Sequence, residues 1–416
     1  MNILLLGNGF DLYYNLPTKY HNFLHTVDHL IENYSLNIKS AGDVFSNSNL
    51  QKNDEYIAKC YNAHKTLYDN TTLNLSDVDQ LINYSKNNIW FKYLLKSFDK
   101  DVGWIDFEKE ISNVIRAFGV FLENLSVEFG EERFNKSPEI GYIIKNFDFF
   151  YHQTHQRENI MGIVAPAQYS IKDDFITEYP LGSKIKIINK DKIINSLSIQ
   201  LLDLSNALKI YLKLFADNIF DITTAAEYLE KNKAFLHNDF VVTLNYTDTF
   251  EKLYLDSEVF HLHGSVKNNI VLGVNADAYD DLKTIDTSFI TFKKYYQRVL
   301  METDTKYLRW YDDQLNAAEM NIHLLVMGHS LDITDKDIIS DLFNVASQIT
   351  ILYHNESAKA SYITNLVKIF GKSGLDGFRE QSKLSFLPLE MDFSDFSETQ
   401  KKNSLSEYQK TIAECL

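Results

Sequence analysis

Three polar side chains stand where an enzyme would place them. His263 precedes Gly264 in VFHLHGS (259–265), and an imidazole is the side chain that takes and returns a proton near neutral pH. Asn245 closes FVVTLN (240–245). Its amide could orient a ribose hydroxyl or an attacking water, or merely close an Asx turn at a strand-to-helix corner. Asp11 follows Gly7-Asn8-Gly9-Phe10, where a carboxylate could steady positive charge or cap a helix. The glycines would let a phosphate approach the backbone at a helix start, or form only a tight bend. Gly328, His329 and Ser330 in VMGHSLDITDKD (326–337) repeat that logic, with glycine for approach and hydroxyl for a phosphate or ribose oxygen. His261 is expected to pack in the core, on a different face from His263.

Other constellations carry less. The dinucleotide fingerprint G-x-G-x-x-G is incomplete because Leu12 holds its third position, which disfavours the usual hydride transfer. Asp11, Asp106 and Glu108 could gather a divalent metal for nucleic-acid hydrolysis. Acids in a helix's first turn are favoured by its dipole alone, and no metal is expected. In FKKYYQR (292–298), Lys293, Lys294 and Arg298 could meet a phosphate, but a solvated helix face is the simpler expectation.

Short apolar runs must hold these groups. NILLL (2–6), FVVTL (240–244), VFHL (259–262), IVL (270–272), HLLVM (323–327) and ITILY (349–353) lack strict alternation, as strands buried on both faces do. LSFLPLEM (384–391) is a candidate last strand. Helical stretches between several of them predict βαβ connections and an α/β, Rossmann-like parallel sheet. Phe107, Ile111, Val114, Ile115, Phe118, Phe121, Leu122 and Leu125 follow a 3.6-residue period behind an Asp106 cap. Leu197 to Phe215 repeat the pattern, residues 77–98 read as helical, and 160–190 as a loop or small hairpin. The expected layout is a core of 1–29 and 238–375, a helical insertion over 30–237 acting as a lid or partner-binding subdomain, and an extension over 376–416 that packs on the core. In such sheets ligands bind beyond the carboxyl ends of strands.

Composition limits the partners. The 416 residues carry a formal net charge of −16, which repels nucleic-acid backbones and anionic membranes. No run approaches a membrane span and the N-terminus lacks a basic leader, so a cytoplasmic protein is expected. Two cysteines, Cys60 and Cys415, exclude a four-thiol zinc ribbon. The 25 tyrosines and 28 phenylalanines suit a homo-oligomer built through aromatic-rich helices.

The motifs together resemble the AbiH family of bacterial phage-defence proteins. GNGFDLYYNLPTKYHNFL (7–24), WIDFE (104–108), LNYTDTFEKLY (244–254), HLHG (261–264), FKKYYQR (292–298) and GHSLDITDKD (328–337) match its pattern in order. That family in turn is similar to sirtuins and relatives that split NAD. Against the sirtuin opening G-A-G-x-S-x-x-x-G-I-P, Gly7, Gly9, Leu16 and Pro17 fall in register, with Asp11 in the serine's place and Asn15 in the third glycine's. Leu244, Asn245 and Thr247 correspond to Q-N-x-D, His263-Gly264 to H-G, and Gly328, His329, Ser330 and Leu331 to G-T-S-L. Thr247 replaces an aspartate, with Asp248 adjacent; Lys19-Tyr20 replaces an aromatic–arginine pair; the zinc ribbon is absent. The resemblance implies NAD as substrate or ligand, held by Gly7, Asn8, Gly9, Phe10, Pro17, Thr247, Asp248, Gly264, Gly328, His329 and Ser330. Asn245, His263 and Asp11 would act on its N-glycosidic bond, and a phage-derived trigger is the implied partner. Nucleotide sensing without cleavage, metal-dependent nucleic-acid hydrolysis, and a pure interaction role stand as alternatives.

Overall fold

The computed structural model describes residues 1–33, 38–98, 106–124, 147, 150–152, 169–171, 173–178, 186–219, 239–254, 258–274, 287–316 and 321–389. Expectations for Leu125, Pro166, Pro180, Gly182, Cys415 and the tail from 390 lie outside them. The chain forms two compact units. The first contains Met1–Asp79, Leu208–Val271 and Gln297–Leu416, and the second Gln80–Ala207 and Leu272–Tyr296.

Ten strands occur in chain order among the described residues: β1 Asn2–Leu6, β2 Phe150–His152, β3 Tyr169–Ile171, β4 Ile176–Glu178, β5 Lys186–Ile188, β6 Phe240–Thr243, β7 Val259–His261, β8 His323–Met327, β9 Gln348–Tyr353 and β10 Leu384–Pro388. Six of them make one open, all-parallel sheet in the first unit, in the order β10-β9-β8-β1-β6-β7. Counting only those six along the chain, the spatial order is 3-2-1-4-5-6, the doubly wound Rossmann order, with the switch between β1 and β8. The fold is therefore α/β and Rossmann-like. Alternate residues feed two cores. Ile3, Leu5 and Val242 join Leu324, Ile339, Phe343 and Leu366 on one face, while Leu4, Leu6 and Val241 join Phe10, Tyr14, Phe250 and Met327 on the other.

The run 270–272 is not a strand. Only Ile270 pairs, in an isolated antiparallel bridge to Gly264, so this segment closes a turn after β7. The region 77–98 is two helices, Leu75–Lys86 and Ile89–Ser97, because Asn88 turns out of the first and caps the second at Trp90 N and Phe91 N. Near residues 160–190 the described segments β4 and β5 pair as an antiparallel hairpin, and β3 pairs with β2.

In the second unit, the helix Phe107–Asn124 turns Ile111, Val114 and Phe118 inward. Trp90 anchors this core, with its ring edge-on to Phe147 at 5.2 Å and its Nε1 donating to Leu197 O at 2.9 Å. Asp106 accepts from Lys109 N at 3.1 Å, as a cap should.

The basic run 292–298 is not a solvated face. Lys294 is buried and paired with Glu108 at 2.8 Å. Arg298, also buried, pairs with Asp337 and with Asp304. A buried cation needs such partners, and these residues have them within the protein.

Candidate functional site

The glycines of the turns after β1 and β8 are occupied with each other. Gly7 N donates to Met327 O at 3.1 Å and Gly9 N to Gly328 O at 2.8 Å. A methyl group on Gly9 would stand 2.6 Å from Gly328 Cα, and one on Gly7 2.6 Å from His329 Cα. Gly328 has φ +69, in the left-handed region. These residues let two turns close over the β1–β8 switch. Their amides, expected to grip a phosphate, instead bond protein carbonyls. Asn8 clamps the same turn, accepting from Thr18 Oγ1 at 2.6 Å and donating to Thr18 O at 3.3 Å. Phe10 is a core ring between Tyr14 and Phe250. The Pro17 carbonyl accepts from Tyr211 Oη at 2.9 Å.

Asp11 meets the turn that follows β6. It is 1 % exposed, and its Oδ2 accepts from Thr247 Oγ1 at 2.6 Å, while Thr249 Oγ1 donates on to Thr247 Oγ1 at 3.2 Å. Asp11 Oδ1 is buried without a hydrogen-bond partner. Burial raises this carboxyl to about 6, against the lowering pull of the Thr247 and Thr249 hydroxyls, with Asp217 and Glu251 adding to the rise.

Asn245 follows β6. Its N–H donates to Thr243 Oγ1 at 3.1 Å and its carbonyl accepts from His261 Nδ1 at 3.0 Å. Among the described residues nothing bonds its side-chain amide, the state expected of a group that meets a ligand. Asp248 is buried; its N–H donates to Asp217 Oδ1 at 2.9 Å and its Oδ2 stands 2.6 Å from Lys267 Nζ. Gly264, with φ +76, turns where any side chain would strike Asn269 O.

The turns after β7 and β8 meet at Asp335, a residue whose place before Ile338, Ile339, Leu342 and Phe343 suggests only a helix start. Asp335 Oδ1 lies 3.3 Å from His263 Nε2, and its Oδ2 3.4 Å from His329 Nε2. His329 Nδ1 accepts from Leu331 N at 2.9 Å, so its Nε2 carries the hydrogen toward the carboxylate. Asp335 therefore faces the Nε2 edge of both imidazoles, at ion-pair distance from His263 Nε2 but without a hydrogen bond to it. All three residues are at most 7 % exposed. β7 and β8 are separated in the sheet by β6 and β1, so the turn after β8 must arch across the carboxyl edge to bring Asp335 to His263. Ser330 is exposed on that turn, and Leu331 takes φ +53 to make the bend.

His261 departs from expectation. Residues two apart in a strand share a face. The two histidines separate because β7 ends at His261 and the chain turns before His263. His261 is only partly buried, and its Nε2 lies 2.5 Å from Glu251 Oε1. Among the described residues, Asp248, Glu251 and His261 are the acid–imidazole group whose donor atoms gather as metal ligands would. The metal set Asp11, Asp106 and Glu108 is not supported: Thr247, the cap at Lys109 N and Lys294 respectively hold those carboxylates.

These features define a class: a doubly wound α/β protein with acid, amide and imidazole groups gathered on its carboxyl edge. The chain belongs to the AbiH family, since residues 3–354 match the model described as Bacteriophage abortive infection AbiH. It is thus a phage abortive-infection protein. No curated protein and no solved structure matches it. No described helix is long and apolar enough to cross a membrane.

Proposed function

We propose that the carboxyl edge of the sheet takes a dinucleotide, NAD, and hydrolyses its N-glycosidic bond as the effector step of abortive infection. The observation that supports this reading is that Asn245, whose side-chain amide has no hydrogen-bond partner among the described residues, and His263, which faces Asp335, follow the neighbouring parallel strands β6 and β7 on that edge. Nicotinamide leaves a pyridinium as a neutral base, so no acid is needed at the leaving group. What the protein must supply is a grip on the ribose, a base for water and negative charge near a cationic sugar. Asn245, His263 and Asp11 are those groups, and Ser330 offers a hydroxyl to the diphosphate. Two further features fit the sirtuin likeness. Asn15 takes φ +55 where that pattern has glycine, and the Asp11–Thr247 contact carries carboxylate and hydroxyl in exchanged places.

Binding tests this reading apart from turnover. Calorimetric titration of NAD into the purified chain should give one saturable site. Asn245→Ala should weaken it by about 10-fold, about 1.4 kcal/mol, the scale of one lost hydrogen bond. A wild-type chain that shows no saturable binding of NAD removes the proposal.

A further inference from the structure

Asp248 and Glu251 lie one turn apart at the start of the helix Thr249–Leu253, and His261 closes β7 beside them. Their nearest donor atoms all fall within 4.8 Å of one another. His261 Nε2 stands 2.5 Å from Glu251 Oε1 and 3.8 Å from Asp248 Oδ1. The other ring nitrogen, Nδ1, lies 3.0 Å from Asn245 O. A carbonyl only accepts, so Nδ1 carries a hydrogen. Nε2 then faces two carboxylates, with Glu251 Oε1 at hydrogen-bond distance. Two carboxylates around one ring nitrogen call for a cation there, either a proton on Nε2 or a metal ion in its place.

A backbone carbonyl on the far nitrogen is also how metal-bound imidazoles are fixed in tautomer and orientation. Two further observations bear on the site. Glu251 Oε2 is buried with no hydrogen-bond partner, and Asp248 is 1 % exposed with its Oδ1 directed at the ring. Lys267 balances Asp248 only from an exposed side chain, at 2.6 Å from Oδ2.

We propose that Asp248, Glu251 and His261 form a mononuclear site for a divalent transition-metal ion, with water completing its coordination. One imidazole and two carboxylates suit Mn²⁺ or Zn²⁺ better than the all-oxygen preference of Ca²⁺. The competing occupant is a proton, which gives an imidazolium clamped between two carboxylates and no metal affinity. The site stands independently of the nucleotide reading.

The test uses the full chain, stripped with chelator and titrated with Mn²⁺ alone, with the free-ion EPR signal as readout. One equivalent should bind saturably. His261→Gln and Glu251→Gln should each weaken binding by at least about 10-fold with an unchanged circular dichroism spectrum. Lys267→Ala, which frees Asp248 of its cation, should bind Mn²⁺ at least as tightly as wild type. If a variant fails to fold, pulsed EPR of the wild-type complex decides, because bound Mn²⁺ must couple to a directly coordinated imidazole nitrogen. No saturable binding by the wild type, binding that survives both glutamine substitutions, or bound Mn²⁺ without nitrogen coupling overturns the site.

Discussion

Gly328→Ala should destabilise the chain by several kcal/mol. Gly328 sits at φ +69, and its added Cβ would stand 2.6 Å from Gly9 C and closer still to Phe10 N. The left-handed conformation costs a residue with a Cβ about 1–2 kcal/mol. Overpacking against backbone that cannot swing away adds about 1–3 kcal/mol. The turn cannot relax outward without breaking the Gly9 N to Gly328 O bond of 2.8 Å. Gly377 is the internal control: it lies inside the helix Glu356–Glu380 with nothing within 4 Å of an added Cβ. Alanine there should stabilise by about 0.5–1 kcal/mol through helix propensity. Urea unfolding of the two variants beside wild type measures both. A Gly328→Ala chain as stable as wild type would refute the interlocked turns.

Asp11→Asn should reshape the pH dependence of stability. In the folded chain this carboxyl is raised to about 6 from an ordinary 3.8, chiefly by burial. The folded state therefore binds the proton more tightly than the unfolded state. The stability this confers is fully present below about pH 4, declines as pH rises through about 6, and is gone by about pH 8. The difference of about two pH units corresponds to about 3 kcal/mol. Asparagine keeps the shape and the acceptor for Thr247 without the charge, but leaves a buried N–H₂ that costs about 1–3 kcal/mol where Oδ1 has no partner. The variant should therefore show a much flatter profile between about pH 4 and 8, and at pH 8 it should equal or exceed wild type. Urea midpoints across that range are the readout. A variant that retains the wild-type slope would show that Asp11 is not the titrating group. Loss of NAD cleavage alongside unchanged or higher stability would fit a functional acid held at a cost to the fold.

Much of the sheet could be read from the sequence because its strands are buried on both faces. NILLL, HLLVM and ITILY are continuous apolar runs with few other ways to be satisfied. IVL (270–272) misled for the same reason, since a buried turn segment is also apolar. The strand order is not written in any local pattern. Nor are the pairings that build the site: Asp11 with Thr247, His263 with Asp335, Gly9 with Gly328 join residues far apart in the chain. The glycines were visible but their purpose was not, because close approach to a phosphate and close approach to another turn require the same missing Cβ. Asp335 looked like a helix start, and it does sit at the N-cap of the helix Lys336–Val345, although its side chain makes no capping bond and faces two histidines instead. Lys294 and Arg298 show the converse, since periodicity marks a helix face but not the acids that wait beneath it.

The central claim is that the edge holding Asn245 and His263 cuts NAD, and nicotinamide release tests it most directly. Purified wild-type chain incubated with NAD should liberate free nicotinamide, resolved by chromatography, in step with loss of the dinucleotide. His263→Ala, folded by circular dichroism, should be slower by about 10²–10⁴, the usual contribution of a positioned acid–base group. NAD recovered intact after incubation with a wild-type chain that binds it, or release undiminished in His263→Ala, would contradict the account.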